Sequence, residues 1–232
     1  MGKVNPIIVA LDVENAVQAR ELVKKLGDAG AFYKVGMELY AAAGMDFVRE
    51  LMNEGKQVFL DLKFYDIGET VKRAVAQVAQ VADAAGSGIR FLTIHGHPSV
   101  MRAAREGKGD APLQLLAVTV LTSWTQQDLT DDGHAELVAE LVDRRVAHAR
   151  DCGMDGLICS PLEVARVREI AGPASILVTP GVRSAGADTG DQKRFATPAM
   201  AIRHGADYLV MGRQITRATD PAAEMQRILN DL

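Results

Sequence analysis

The stretch Val58-Phe-Leu-Asp-Leu-Lys-Phe-Tyr-Asp-Ile-Gly-Glu-Thr70 begins as an apolar strand, ends with charged residues and is followed by a helical pattern. Side chains of a strand alternate between its two faces, so Asp61 and Lys63 are expected on the same face, as neighbours. Asp66 follows just beyond the predicted strand end. A lysine held between two carboxylates keeps its proton, and a positioned ammonium is a ready proton donor. The stretch predicts either a site of proton delivery or a solvated strand end with a surface ion pair.

The unit of one apolar strand followed by one amphipathic helix recurs along the whole chain. Most of the candidate strands are apolar throughout, which is typical of a parallel sheet covered on both faces. The predicted strands are Pro6–Asp12, Phe32–Gly36, Gln57–Lys63, Phe91–Gly96, Leu113–Leu121, Gly156–Pro161, Ile176–Gly181 and Tyr208–Gly212. The predicted helices are Ala16–Leu26, Asp46–Glu54, Thr70–Ala84, Pro98–Arg105, Ala135–Arg150, Leu162–Ile170, Pro198–His204 and Asp220–Leu232. Eight such units in 232 residues predict an α/β fold, a single-domain (β/α)8 TIM barrel over residues 1–232, with a doubly wound open sheet as the alternative.

The composition favours a cytoplasmic protein that binds neither nucleic acid nor a membrane. The net charge is −4 and the pI is about 5.8, whereas proteins that bind nucleic acid or membrane surfaces usually carry a basic face. No apolar run approaches the ~20 residues that a membrane span needs, and no secretory leader is recognisable at the N-terminus. Cys152 and Cys159 do not form a Cys-x-x-Cys pair, so buried reduced thiols are expected.

Polar residues recur at the carboxyl ends of the predicted strands, which in a TIM barrel face one active-site surface. They are Asp12, Lys34, Asp61 with Lys63, His95, Thr122 with Ser123, Arg183, and Gly212 with Arg213. Lys34 lies within an apolar strand, so it needs a carboxylate partner, for which Asp61 is the natural candidate, or must reach water with its ammonium. Asp12 could contact a ligand, cap the helix that follows, or do both.

The last predicted strand ends at a candidate phosphate site. Barrels often bind phosphate here, at the N–H groups of a short helix, and Arg213 offers a two-pronged donor for phosphate oxygens unless it forms only a surface ion pair. The polar loop at about 183–193 is long for a compact domain, which is typical of a lid or binding loop but also of a tolerated insertion. From this loop Gln192 could reach the same anion.

His95 and His97 form a His-x-His pair, a spacing that can indicate a metal site. No acidic or histidine partner stands at a matching spacing, and Lys63 nearby would repel a cation, so we expect no metal there. The chain also has no Walker loop, dinucleotide fingerprint, nucleophile elbow or zinc pattern.

Over nearly its whole length the chain resembles the orotidine 5′-phosphate decarboxylase family. The motifs that carry the resemblance are Ile8-Val-Ala-Leu-Asp12, Tyr33-Lys-Val-Gly36, Phe59-Leu-Asp-Leu-Lys-Phe-Tyr-Asp-Ile67 with Thr70, Val118-Thr-Val-Leu-Thr-Ser123, Thr179-Pro-Gly-Val-Arg183, Gly190-Asp-Gln192 and Leu209-Val-Met-Gly-Arg213. Tyr65 and Gly68 stand where many relatives have histidine and proline. The resemblance implies a carboxy-lyase of de novo pyrimidine biosynthesis that converts orotidine 5′-monophosphate to UMP without a metal or organic cofactor.

The resemblance also implies a role for each matching residue. Asp12 would hold the ribose hydroxyls, Lys34 would bridge the ribose and Asp61, and Lys63 would protonate C6 of the pyrimidine. Asp66 and Thr70 would enter the neighbouring subunit's site, so that the enzyme is a homodimer with shared active sites. The remaining substrate-binding positions are Ile67, Thr122 with Ser123 at the pyrimidine edge, and Arg183, Gln192, Gly212 and Arg213 around the phosphate.

Two other functions remain open at this point. Enzymes of phosphorylated keto sugars share the Asp-x-Lys-x-x-Asp pattern, so a magnesium-dependent decarboxylase or aldolase is the alternative; a further acidic ligand would then be expected on the second strand, where this chain has Lys34. The second open function is that of a catalytically inert barrel that binds a nucleotide. The intact set of Asp61, Lys63 and Asp66 argues against it.

Overall fold

The computed structural model describes residues 5–84, 88–184 and 196–232. Eight parallel strands pair in sequence order, and the last pairs with the first, so that the sheet closes into a barrel. The strands are β1 (Ile7–Ala10), β2 (Phe32–Gly36), β3 (Gln57–Phe64), β4 (Ile89–His95), β5 (Gln114–Val118), β6 (Gly156–Ile158), β7 (Ile176–Pro180) and β8 (Tyr208–Met211). The predicted single-domain (β/α)8 TIM barrel is confirmed.

Helices alternate with the strands and cover the outside of the barrel. In the described part of the chain they are α1 (Ala16–Leu26), α2 (Met37–Asn53), α3 (Gly68–Ala84), α4 (Pro98–Lys108), α5 (Gln126–Asp131), α6 (Val138–Asp151), α7 (Val164–Ala171), α8 (Pro198–Arg203), α9 (Arg213–Thr216) and α10 (Pro221–Asn230). The predicted helix at Asp46–Glu54 was too short, because α2 begins nine residues earlier and continues past Gly44, whose φ of 62° interrupts the regular helix. The prediction also missed α5, which Thr125 and Asp128 begin with a capping box.

Several predicted strands extend beyond the observed ones. The strand predicted over Leu113–Leu121 ends at Val118, and the one predicted over Gly156–Pro161 ends at Ile158. Apolar residues continue after these strands because Val120 and Cys159 are still buried although they lie beyond the strand ends. Burial at the rim of the barrel therefore continues the apolar pattern into the loops.

The barrel has two separate apolar cores, one inside the sheet and one between the sheet and the helices. In β1, Ile8 and Ala10 face the interior while Ile7 and Val9 pack under the helices. Both faces of the strands are thus buried, which is why the strands read as continuous apolar runs. The side chains that line the interior are Ile8, Ala10, Phe32, Phe59, Phe91, Leu116, Val178, Tyr208 and Val210.

Aromatic rings fill the amino end of the barrel. The ring centroids of Phe91 lie 5.2 Å from Phe32 and 5.4 Å from Tyr208. The guanidinium of Arg90 lies over these rings, 5.0 Å from the centroid of Tyr208 and 5.2 Å from that of Phe91, where cation–π attraction is favourable. We call these four side chains the barrel floor. Because bulky rings occupy this end, space for a ligand is left at the carboxyl end.

Two expectations drawn from composition can be compared with the fold. No helix in residues 5–84, 88–184 and 196–232 is both long enough and apolar enough to cross a bilayer. Both cysteines carry free thiols: Cys159 is buried, as predicted, whereas Cys152 is only partly buried.

Candidate active site

Four charged side chains from three neighbouring strand ends form a line of alternating charge at the carboxyl end of the barrel. Lys34 Nζ lies 2.8 Å from Asp12 Oδ1 and 3.6 Å from Asp61 Oδ2. Lys63 Nζ donates to Asp61 Oδ1 at 2.8 Å. The order along the line is Asp12, Lys34, Asp61, Lys63, and we call it the charge line. Lys34 has the predicted partner in Asp61, although Asp12 lies closer.

Asp12 belongs to this line and not to the start of the following helix. The N-cap of α1 is Asn15, whose side chain accepts a hydrogen bond from the N–H of Gln18 at 3.1 Å. The alternative that Asp12 caps the helix is therefore wrong. Its carboxylate is instead held by the ammonium of Lys34 at the mouth of a cleft.

Asp61 is an ionised carboxylate in a largely buried place. The side chains of Lys34 and Asp61 are only 10% and 16% exposed. Burial opposes the charge of Asp61, but the Lys34 ammonium, the Lys63 ammonium and the hydrogen bonds from Lys63 and Thr93 outweigh it and hold the pKa of Asp61 below its usual value. Asp61 is consequently negative at neutral pH and can orient both lysines.

The alternation expected of a regular strand does not hold at Lys63. Leu60 pairs with Leu92 of β4, but Phe64 pairs with Ile94, so β3 advances four residues while β4 advances two. Lys63 lies in this bulge with φ +47°, the only positive φ among the described non-glycine residues. Such a conformation costs about 1–3 kcal/mol and tends to occur at functional sites. The predicted contact of Lys63 with Asp61 is confirmed, but a bulge produces it.

Thr93 is a member of the site that the sequence prediction missed. It lies in β4 with no exposed surface. Its Oγ1 donates to Asp61 Oδ1 at 3.0 Å and accepts the N–H of Lys63 at 2.9 Å. A signal was available, because Thr93 is a polar residue inside the apolar run Phe91–Ile94 and a buried hydroxyl needs partners.

Asp66, Ile67 and Thr70 lie on an exposed segment beside the charge line. Asp66 Oδ1 accepts the N–H of Ile67 at 2.6 Å, and within the described residues no ion pair joins Asp66 to Lys63. One chain thus places only Asp61, and not both predicted carboxylates, beside the lysine. Ile67 is 73% exposed, which is unusual for a large apolar side chain.

Two adjoining cavities open at the carboxyl end of the barrel. The larger has a volume of about 680 Å³ and contains Asp12, Arg183, Gly212 and Arg213 among its lining residues. The smaller, of about 140 Å³, is lined by Asp61, Lys63, Thr122 and apolar side chains. Lys34, Pro180 and Val210 line both cavities, so the two form one cleft. Ser123 is exposed and lines neither.

Two arginines converge on the larger cavity from β7 and β8. Arg183 is buried; its N–H donates to the carbonyl of Ala196 at 3.1 Å, and its Nη1 to that of Val182 at 2.7 Å. Arg213 begins α9 directly after Gly212, as the sequence predicted for a short helix.

Part of the predicted loop at about 183–193 lies outside the described residues. This part begins at residue 185 and includes Gln192.

The rings of His95 and His97 both pack against Tyr65. Their ring centroids lie 5.2 and 6.2 Å from that of Tyr65. Burial, followed by the charges of Arg145 and Lys63, lowers the pKa of His95 below its usual value, so its ring is neutral at neutral pH. Among the residues that the structure describes, no three His, Cys, Asp or Glu side chains are grouped as metal ligands would be.

Comparison with known proteins gives the same family over almost the whole chain. The family model described as "Orotidine 5'-phosphate decarboxylase / HUMPS family" matches residues 5–228. Relatives named orotidine 5'-phosphate decarboxylase from Bradyrhizobium sp. (strain ORS 278) and Methylobacterium sp. (strain 4-46) are 51% and 48% identical, over 97% of this chain and 90% and 94% of theirs. The crystal structure of orotidine 5'-phosphate decarboxylase from Lactobacillus acidophilus matches with a TM-score of 0.85 at 36% identity, over 98% of this chain and 99% of that chain.

Proposed function

The chain belongs to the orotidine 5'-phosphate decarboxylase / HUMPS family, and from this we infer that it decarboxylates orotidine 5′-monophosphate to UMP, a step of pyrimidine biosynthesis. We propose that Lys63 donates the proton and that neither a metal nor an organic cofactor takes part. The main support for this mechanism is the charge line, because Asp61 holds the ammonium of Lys63 beside the smaller cavity.

The reaction breaks the bond between C6 and the carboxyl carbon. The electron pair of that bond stays on C6 while carbon dioxide leaves, and a proton moves from Lys63 Nζ to C6, so the lysine is left neutral until it takes a proton from water. The developing negative charge on C6 faces an ammonium. Such an interaction is stronger in the transition state than in the ground state, which is what accelerates a reaction.

Asp61, Lys34 and Asp12 prepare the site for this step. Asp61 lies between two ammoniums, 2.8 Å from that of Lys63 and 3.6 Å from that of Lys34, so it orients Lys63. Lys34 lines both cavities and Asp12, 2.8 Å from its ammonium, lines the larger one; together they hold the ribose hydroxyls. Lys34 thereby links the sugar to the reacting end of the line.

The pyrimidine and the phosphate occupy opposite ends of the cleft. Thr122 lines the smaller cavity and meets the pyrimidine edge; Ser123, which is exposed, has the weaker support of the two. Arg183, Gly212 and Arg213 surround the phosphate in the larger cavity, joined by Gln192 from the loop at about 183–193, which closes over the bound nucleotide. Phosphate binding far from C6 can supply the energy that closes such a loop.

A second copy of the chain completes the site. Asp66 lies on an exposed segment outside the ion pairs of its own Lys63, beside the exposed Ile67 and Thr70. Asp66 and Thr70 reach the active site of the partner in a two-fold homodimer. The reaction takes place in the cytoplasm, a proposal that rests on the free thiols of Cys152 and Cys159.

The magnesium-dependent alternative has less support. It would need an acidic ligand on the second strand, but β2 carries Lys34 at that position, and the ammonium of Lys34 lies 3.6 Å from Asp61. A cation placed beside Asp61 would therefore meet the positive charges of Lys34 and Lys63.

An assay of UMP formation after chelation of metals tests the function. We expect the purified protein to convert orotidine 5′-monophosphate to UMP and carbon dioxide at the same rate with and without a chelator. Activity that disappears with the chelator and returns with Mg²⁺ would contradict cofactor independence, and a protein that forms no UMP under either condition would contradict the decarboxylase assignment.

Removing a phosphate contact should weaken the reaction only when the substrate carries phosphate. Arg213→Ala is expected to lower kcat/KM for orotidine 5′-monophosphate by about 10- to 100-fold, the loss of charged hydrogen bonds of about 1.5–3 kcal/mol, and Gln192→Ala should act in the same direction. Neither change should alter the slow turnover of orotidine, which has no phosphate. The exposed Arg203 at the end of α8 supplies the matched control, Arg203→Ala. Equal losses on both substrates would mean that Arg213 acts on the fold.

A further inference from the structure

The backbone of Lys63 has an unusual hydrogen-bond partner. None of the three residues between Leu60 and Phe64 has a registered partner in β4. At this bulge the N–H of Lys63 donates to a side chain, Thr93 Oγ1, at 2.9 Å. A buried N–H without an acceptor would cost about 1–3 kcal/mol, so Thr93 stabilises the left-handed conformation of Lys63.

The same hydroxyl also reaches the other end of Lys63. A threonine hydroxyl has one proton to donate, and Asp61 Oδ1 lies 3.0 Å from Thr93 Oγ1, whereas the carbonyl of Leu60 lies 3.5 Å away, at the limit of a hydrogen bond. Asp61 Oδ1 is the oxygen that accepts the hydrogen bond from Lys63 Nζ. Thr93 thus connects the backbone nitrogen of Lys63, through one carboxylate oxygen, to the ammonium of the same residue.

We propose that Thr93 is a positioning residue that sets where the ammonium of Lys63 meets the substrate. It fixes the backbone from which the lysine side chain starts and the carboxylate against which that side chain ends. The inference rests on the proposed function, because the position of the ammonium matters only if Lys63 protonates the substrate. Thr93 itself is fully buried and has no surface with which to touch a ligand.

Two substitutions of Thr93 separate the effect of its hydroxyl from the effect of its side-chain volume. Thr93→Val keeps the shape and removes both hydrogen bonds, and Thr93→Ser keeps the hydroxyl. Because a misplacement of about 1 Å can cost about 10²-fold, we expect Thr93→Val to lower kcat by about 10- to 100-fold with KM within about threefold of wild type. Thr93→Ser should keep kcat within about threefold.

The pH profile gives a readout that packing alone would not change. The hydrogen bond from Thr93 is one of the interactions that lower the pKa of Asp61. Its loss raises that pKa, so Asp61 takes up a proton at a higher pH and ceases to hold Lys63. The acid limb of the kcat profile should therefore move to higher pH in Thr93→Val and stay in place in Thr93→Ser.

Two controls separate the proposed role of Thr93 from a loss of stability: substitution of another buried threonine, and a count of the sites that bind UMP. Thr119 is also fully buried, and its hydroxyl donates to the carbonyl of Ile158 at 3.0 Å and not to a residue of the charge line. Thr119→Val should leave kcat within about threefold and the acid limb unchanged. All rates are expressed per site that binds UMP, so that a fraction of unfolded protein does not lower them.

The outcomes distinguish this inference from the proposed function. If wild type forms UMP and Thr93→Val has the wild-type kcat and acid limb per UMP-binding site, Thr93 has no positioning role. If Thr93→Ser is impaired as strongly as Thr93→Val, packing and not the hydroxyl is responsible, and the inference is overturned as well. If wild type forms no UMP at all, the proposed function itself fails, and the role of Thr93 fails with it.

Discussion

Replacement of Lys63 by alanine is expected to abolish turnover while the protein stays folded and still binds UMP. A general acid typically contributes 10²–10⁴-fold. On the proposed mechanism this ammonium also stabilises the charge that develops on C6, so kcat should fall by more than about 10⁴-fold. The fold should survive because Lys34 still pairs with Asp61. Alanine carries the same Cβ as lysine, so the strain at φ +47° is unchanged.

The measurement combines single-turnover rates with UMP binding and thermal unfolding. Lys25→Ala, which removes an exposed lysine from α1, serves as the control and should match wild type in all three. If Lys63→Ala keeps more than about a tenth of the wild-type rate, Lys63 is not the proton donor. A variant that loses both UMP binding and the cooperative unfolding transition would show instead that Lys63 is needed for the fold.

Mixing two inactive variants is expected to restore activity if the sites are shared. Homodimers of Lys63→Ala and of Asp66→Ala are each defective at both sites. In a mixed dimer one site receives both defects, while the other combines an intact Lys63 with an intact Asp66 from the partner. Random reassociation makes about half of the dimers mixed and about half of their sites intact, so activity should recover to about a quarter of wild type, as a closed two-fold interface requires.

The alternative is that Asp66 acts on Lys63 of its own chain. Every site would then carry one defect in every dimer, and mixing could restore nothing. Subunit exchange is followed by the mass of the mixed dimer, and each variant refolded alone is the control. Confirmed exchange without recovery would refute the shared site and leave the decarboxylase function standing.

The barrel could be predicted from the sequence because the pattern that indicates it recurs eight times and follows directly from burial. Strands that are buried on both faces have to be apolar throughout, and eight such runs alternate with amphipathic helices. Strand ends were less predictable, since Val120 and Cys159 are apolar and buried but lie beyond the last residues of β5 and β6. Whether a residue is polar or apolar indicates its burial more directly than it indicates where a strand ends.

The charge line was predicted in its composition but not in its geometry. A buried lysine needs a carboxylate, and from this requirement the sequence analysis named Asp61 as the candidate partner of Lys34. It did not predict that Asp12 lies closer to the same ammonium. The register shift at Lys63 could not be read from alternation, because a bulge depends on pairing with β4. Asn15 and Asp12 are both good N-caps by residue type, and only the geometry of α1 decides between them.

The barrel floor directs the access of ligands to the cleft at the carboxyl end of the barrel. Within the described residues, Arg90 and the rings of Phe32, Phe91 and Tyr208 occupy the amino end, opposite the cleft. On the proposed mechanism, carbon dioxide released beside Lys63 leaves through the same cleft by which the nucleotide came in. Product and substrate would then pass through the cleft one after the other, because UMP held by its phosphate blocks the next substrate until it departs. The rate of emptying can therefore limit the cycle even when the bond at C6 breaks quickly.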